Sequence, residues 1–180
     1  MTTKSQGLVL VYTGDGKGKT TAAIGVAIRA KGQGKRVCFI QFIKAPGRSY
    51  GEKVIFDGVG IENYQTGVGF TWTKTPEEHR EALKTGWSLA KEKIMSGDYD
   101  LVILDELNNA LAIETFPVDD VLPLEDILST IDGRPEGMHL VITGRSANEK
   151  VKEKADLITE MKPLKHYYDK GIPAVEGIEF

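Results

Sequence analysis

Apolar residues fall along this chain in two alternating patterns. Nearly continuous apolar runs occupy residues 7–12, 36–42, 99–104 and 138–143, with a shorter one at 157–161. Each has the length of a strand and is unbroken rather than alternating, which is how a strand buried on both faces reads. Between them stand segments whose apolar positions recur at helical spacing. These are 19–32, 76–96 and 119–131, the last with apolar residues at 121, 122, 124, 127, 128 and 131. Thr75-Pro76-Glu77-Glu78 opens the second of these helices, with Thr75 as cap, Pro76 at the first position and Glu78 closing a capping box. Shorter helices are expected at 108–114 and from a Ser146 cap to Ala155, and short strands at 54–56 and 61–65. Residues 44–52 and 67–72 read as loops, and 162–180 as a mixed tail interrupted by Pro163, Gly171, Pro173 and Gly177. Strands alternating with helices predict an α/β fold, a mostly parallel sheet with helices on both faces, in one domain over residues 1–180.

In such sheets ligands bind beyond the carboxyl ends of the strands. Four polar stretches follow strands here and converge on that edge: Thr13–Thr21, Gln41–Lys44, Asp105-Glu106 and Thr143-Gly144-Arg145. The first, Thr13-Gly14-Asp15-Gly16-Lys17-Gly18-Lys19-Thr20-Thr21, sits between an apolar strand and a helix and carries Gly-Lys-Thr at its end. This is the arrangement of a phosphate-binding P-loop. Glycines let N–H groups turn toward an anion, and the helix N-terminus adds unpaired donors. Lys19 supplies a mobile cation, and the Thr20 hydroxyl can ligate magnesium. The expected fold is therefore a P-loop NTPase-like (RecA-like) three-layer sandwich. One position departs from the usual pattern: counting back from Gly18, the first site is Thr13 rather than glycine.

Leu101-Val102-Ile103-Leu104-Asp105-Glu106 is an apolar strand ending in two acids. Beside a triphosphate such a Walker-B-like pair would hold magnesium, directly or through water. The alternative is a helix cap with an acidic first turn, which Asp105 could serve, but a P-loop in the same chain favours the metal role. Phe70 and Trp72, set among Gly67, Gly69 and Thr71, either line a pocket for a flat ligand or pack in the core. Arg29 reads as a solvated helix residue, and Arg145 as either a phosphate contact or a cap. His79, His139 and His166 lack metal-ligand spacing, and Cys38 lies in an apolar run as a core residue.

The formal net charge is −3, which argues against a bulk nucleic-acid binder. A single cysteine fits a reducing compartment. The first residues lack the apolar core of a signal peptide, and no apolar stretch has the length of a membrane span, so a cytoplasmic protein with no membrane partner is expected.

Taken in series, the blocks are specific. Thr13–Thr21, Gln41-Phe42-Ile43-Lys44, Thr66–Trp72, Leu104-Asp105-Glu106-Leu107, Ile142-Thr143-Gly144-Arg145 and Lys165-His166 together resemble the P-loop family of ATP:corrinoid adenosyltransferases. The resemblance runs from Gly7 to the C-terminus. It implies that the cobalt(I) of a corrinoid attacks the 5′ carbon of ATP and displaces triphosphate, with ATP held in reverse of the usual P-loop sense. It further implies that Gly14, Asp15, Gly16, Lys17, Gly18, Lys19, Thr20 and Thr21 cradle the triphosphate. Arg29 and Arg145 would lie near the nucleotide, and Mg²⁺ would be held through Thr20 and Glu106, with Asp105 beside them. By the same resemblance Phe70 and Trp72 approach the lower face of the corrin and favour four-coordinate cobalt(II), which makes them, with Lys19, the expected catalytic residues. An electron-donating reductase of the flavoprotein kind and a homodimer are the implied partners.

Two departures from the family stand out. Asp15 stands where many members have asparagine, and longer members carry an N-terminal helical extension, whereas six residues precede the first predicted strand here. The competing expectations are a P-loop ATPase or kinase acting on another substrate, motivated by Asp105-Glu106, and a non-catalytic nucleotide- or corrinoid-binding protein.

Overall fold

The computed structural model describes residues 6–47, 50–69 and 74–179. Phe70 and Trp72 therefore lie outside the described residues. The strands are β1 (Val9–Thr13), β2 (Val37–Gln41), β3 (Glu62–Gln65), β4 (Leu101–Asp105), β5 (His139–Thr143) and β6 (Leu157–Glu160). They form one sheet in the order β3-β2-β4-β5-β1-β6, and every pairing is parallel. The helices are α1 (Lys19–Gly32), α2 (Gly51–Val59), α3 (Pro76–Met95), α4 (Leu107–Leu111), α5 (Leu124–Gly133) and α6 (Glu149–Glu153), followed by a 3-10 turn at Tyr167–Lys170.

Two apolar layers hold the sheet, because successive strand side chains face opposite ways. On one face Phe39, Ile103 and Val141 pack under Ala23 and Ala27 of α1 and Phe56 of α2. On the other, Ile40, Val102, Leu104 and Leu140 pack against Leu83, Trp87 and Ile94 of α3, Leu107 of α4, Ile127 and Ile131 of α5 and Val151 of α6. This is the three-layer α/β sandwich that the strand–helix alternation predicts. Cys38 is wholly buried, and burial pushes its thiol up to about 12, as expected for an inert core residue.

The α3 start is as the sequence predicts: Glu78 N donates to Thr75 Oγ1 at 3.2 Å and Thr75 N to Glu78 Oε2 at 2.9 Å. Several boundaries differ; the helix expected over 108–114 is α4 and ends at Leu111. Residues 54–56, expected as a strand, lie inside α2, where Phe56 is buried while Val54 and Ile55 stay exposed. That spacing suits an amphipathic helix turn, and three apolar residues in a row are too few to tell strand from helix. The helix expected from Asp119 begins instead at Leu124, with Pro123 as its N-cap. The apolar residues Val121 and Leu122 lie in the turn before it. α6 is capped by Asn148, whose side chain accepts from Lys150 N at 2.9 Å, rather than by Ser146, which sits at φ 51 in the preceding turn.

Candidate active site

The period of two along each strand decides which polar side chains meet. Gln41 continues the row Val37–Phe39, Asp105 the row Leu101–Ile103, and Thr143 follows Val141, all on the α1 face. The register sets Gln41 opposite Asp105. These three residues, each fully buried, end beneath the N-terminus of α1. Asp105 accepts from Thr20 Oγ1 at 2.8 Å, Thr143 Oγ1 at 2.7 Å and Gln41 Nε2 at 3.4 Å. Gln41 also reaches Glu52 Oε1 at 3.2 Å, and Glu52 is ion-paired with Lys44. A buried polar chain thus runs from α2 through β2 and β4 to the phosphate loop. Fully satisfied networks of this kind specify one arrangement.

Asp105 is not a helix cap. It lies under α1, while Glu106 occupies the N-cap position of α4 in a left-handed conformation, φ 62 and ψ 18. The Glu106 N–H donates to Thr143 Oγ1 at 2.9 Å. The strained turn sends adjacent acids apart, Asp105 into the hydrogen-bonded layer and Glu106 to the wall of a cavity. Burial and the neighbouring Asp105 charge raise the Glu106 carboxyl to about 7, against the opposing pull of Lys44, Lys19 and Arg145. Burial raises Asp105 as well, opposed by Lys44 and by its hydroxyl and amide donors.

The cavity is about 540 Å³, within the usual range for small-ligand sites. The loop contributes Lys17, Gly18, Lys19, Thr20 and Thr21 to its wall. Lys44, Glu52, Glu106, Asn109, Thr143, Gly144 and Arg145 complete the polar side. Ile24, Ile28 and Ile55 give it an apolar side, and the C-terminal residues Gly177, Ile178 and Glu179 close one flank. Arg145 is held by its backbone N–H, which donates to Asn109 Oδ1 at 2.8 Å. Arg29, in contrast, is exposed on α1 and is not among the lining residues, and neither are Gly14, Asp15 and Gly16.

The first half of the loop serves another purpose. Gly16 N–H donates to Met161 O at 2.7 Å, and Met161 N–H donates to Thr13 O at 2.8 Å. A Cβ at Gly14 would lie 2.5 Å from the Met161 carbonyl oxygen, and one at Gly16 2.7 Å from the same group. These glycines let β6 pass against the loop, and the Gly16 N–H is spent there rather than turned to an anion. Thr13 is buried, and its hydroxyl accepts from Ala147 N at 3.2 Å, fastening the loop to the segment after β5. The part of the loop that lines the cavity is therefore Lys17–Thr21, at the mouth of α1. Lys19 Nζ donates to Gly14 O and Gly16 O, both at 2.7 Å. Burial and the Arg145 charge hold its ammonium below the ordinary lysine value.

Lys44, Glu52, Asn109 and Glu179 join the site without having been singled out by sequence reasoning as individual site residues. Lys44 could be placed at a strand end, but Glu52 needed residues 51–59 to be read as a helix, and Glu179 needed the path of the tail. Among the described residues no group of three or more His, Cys, Asp or Glu is placed to hold a metal ion. The oxygen donors available on the cavity wall are the Thr20 hydroxyl and the Glu106 carboxyl, with Asp105 bonded to Thr20 from below. This set fits a hard cation completed by substrate oxygens and water. No helix among the described residues is long and apolar enough to cross a membrane.

Comparison with known proteins bears on the family of the chain. The model of the family described as ATP:corrinoid adenosyltransferase BtuR/CobO/CobP matches residues 5–180. The corrinoid adenosyltransferase of Escherichia coli K12 is 39% identical over 176 residues, covering 97% of this chain and 86% of the relative. That of Salmonella typhimurium LT2, CobA, is 38% identical over 178 residues, covering 98% and 87%. That of Pseudomonas aeruginosa PAO1 is 38% identical over 179 residues, covering 97% and 84%. Among solved structures, the RadB recombinase is similar with a TM-score of 0.48 at 15% identity, covering 90% of this chain and 77% of that one. With its family model matched almost from end to end and these relatives matched over nearly their whole length, the chain belongs to the ATP:corrinoid adenosyltransferase family.

Proposed function

We propose that this chain transfers the 5′-deoxyadenosyl group of ATP to the cobalt of a reduced corrinoid and releases triphosphate. The observation that carries the proposal is one cavity in which Lys17, Lys19, Lys44 and Arg145 meet a phosphate loop, in a chain of this family. A cobalt–carbon bond forms as the C5′–oxygen bond breaks. Cobalt supplies the electron pair, passing from cobalt(I) to cobalt(III), and the departing oxygen carries its pair away on triphosphate. No protein base is needed, because the nucleophile belongs to the cofactor-like substrate. The chain's own task is to position the two substrates and to stabilise charge on the leaving group.

Lys19 is the group best placed for that stabilisation. Its ammonium rests on Gly14 and Gly16 carbonyls, and a bound phosphate offers stronger, charged acceptors. Arg145 and Lys44 supply further positive charge on the cavity wall. Thr20 and Glu106 would hold a Mg²⁺, with Asp105 orienting the Thr20 hydroxyl from below; the ion would supply additional screening of the triphosphate. Ile24, Ile28 and Ile55 form the wall suited to the non-phosphate part of a ligand. Phe70 and Trp72 are assigned to the corrin face by the family resemblance alone, as Arg29 is to the nucleotide. A flavoprotein reductase and a homodimer are carried over on the same ground.

ATP hydrolysis is the second reading, motivated by Glu106, whose carboxyl near 7 is suited to accept a proton from water. The products separate the two. Under anaerobic, strongly reducing conditions, ATP and cobalamin or cobinamide should give the adenosylcorrinoid spectrum together with inorganic triphosphate. ADP and phosphate without a cobalt–carbon product would refute the transfer reaction.

A further inference from the structure

The C-terminal segment folds back onto the phosphate loop. Every residue from Gly171 to Ile178 is exposed, yet Glu179 is partly buried. Its carboxylate lies 3.0 Å from Lys17 Nζ, with the two side chains only 34% (Lys17) and 25% (Glu179) exposed. It also accepts a hydrogen bond from the Tyr167 hydroxyl. The Ile178 and Glu179 N–H groups donate to Val175 O at 3.1 and 2.9 Å, a turn that carries Gly177–Glu179 to the cavity wall.

Of the acids that line the cavity, Glu52 is paired with Lys44 and Glu106 is assigned to the metal; Glu179 is the remaining one, and its charge opposes a polyanion's. Lys17 is likewise the loop cation that the general phosphate-loop pattern leaves without a task. The two anomalies answer each other. An exposed segment held in one place needs favourable contacts to offset its lost freedom. Here its ionic contact is with an ammonium that faces the ligand cavity. A partly exposed ion pair is weak, whereas a polyphosphate offers the same ammonium several charges and many acceptor oxygens.

We propose that Glu179 is a further residue of the triphosphate site. It occupies Lys17 in the ligand-free protein, and a bound polyphosphate takes Lys17 from it and releases the C-terminal segment from the cavity wall. This rests on the phosphate-site reading of the cavity, not on the adenosyl-transfer chemistry.

The test is calorimetric titration of the full chain with inorganic triphosphate and Mg²⁺ at low ionic strength. Glu179→Gln should bind about two- to fivefold tighter than the parent, the span expected for loss of one partly exposed competing pair. Glu176→Gln, an equal change of net charge on an exposed residue that does not line the cavity, should bind as the parent does. In a Lys17→Met background the gain from Glu179→Gln should vanish. In the unmodified protein, amide hydrogen exchange across residues 167–179 should quicken when triphosphate saturates the site. Unchanged affinity in Glu179→Gln, an equal gain in Glu176→Gln, a gain that persists without Lys17, or unchanged or slowed exchange in the segment would each overturn the inference while leaving the phosphate site standing. Failure of the parent to bind triphosphate at all would overturn both together.

Discussion

Asp105 and Glu106 are neighbours in sequence and do opposite things. Asp105 takes three hydrogen bonds in a buried layer under α1, while the left-handed turn at Glu106 presents its carboxyl to the cavity. Burial and the Asp105 charge lift Glu106 from its ordinary 4.5 to about 7, so the folded protein holds a proton there that the unfolded chain releases. The sign follows by linkage: a raised carboxyl contributes stability at low pH and loses it as pH climbs from about 4.5 through about 7. A cation at Glu106 needs the carboxylate. Affinity for Mg²⁺–ATP should therefore rise between pH 6 and 8, and Glu106→Gln should flatten that rise. Calorimetric titrations at fixed Mg²⁺ across this window check it, and a flat profile in the parent would remove Glu106 from the metal site. At this scale the motif residues Lys19, Thr20, Asp105 and Glu106 were legible because their chemistry is local to short strand-end stretches. The Asp105–Gln41–Glu52–Lys44 chain was not, since it joins residues from three elements.

Among the elements, α2 shows how packing overrides a short sequence pattern. Val54-Ile55-Phe56 reads as a strand, yet only Phe56 is buried, tilted against Phe39 with ring centroids 5.0 Å apart. As a helix, the segment can turn Phe56 to the core while Glu52 and Ile55 reach the cavity. Phe56→Ala should cost about 3–5 kcal/mol in denaturant unfolding, the usual range for an emptied aromatic core site. The loop and β6 form a second such unit. Gly16→Ala would drive a methyl group into the Met161 backbone, which cannot swing aside as a flexible side chain can. We expect a loss of about 1–3 kcal/mol, typical of overpacking, together with weakened ATP binding. Equal ATP affinity in the folded variant would show that the β6 contact does not shape the loop. The glycines at 14 and 16 were visible in the sequence, but their reason was not. A phosphate loop and a close backbone crossing ask for the same residue.

For the molecule as a whole, the sheet order matters most. Because β4 and β5 lie between β2 and β1, the chain crosses the sheet after the phosphate loop, and the cavity draws on residues from Lys17 to Glu179. A ligand that joins such distant parts should stabilise the entire fold. At a hundred times its dissociation constant, Mg²⁺–ATP should add about 2.7 kcal/mol. For a chain of this size that raises the melting temperature by about 5–11 °C. Lys19→Ala should abolish most of the shift and lower turnover by about a hundredfold or more. Differential scanning calorimetry and the anaerobic assay report the two effects separately. Near-normal turnover in Lys19→Ala would refute its leaving-group role.

The sequence by itself determined the strand–helix alternation, the parallel sheet with both faces covered, the glycine-rich loop between β1 and α1 and the pair of acids at the end of β4. These rest on period and on short-range chemistry, which neighbouring residues suffice to encode. Only the tertiary structure decided which residues of the loop line the cavity, that Thr13 and Gly16 bond to the segments just after β5 and β6, and that residues 54–56 are helical. It also decided that Arg145, but not Arg29, lies on the cavity wall, and that the C-terminal Glu179 meets Lys17. Each of those depends on a contact between residues far apart along the chain. Hydrophobic period carries no information about such contacts until the sheet order brings the partners together.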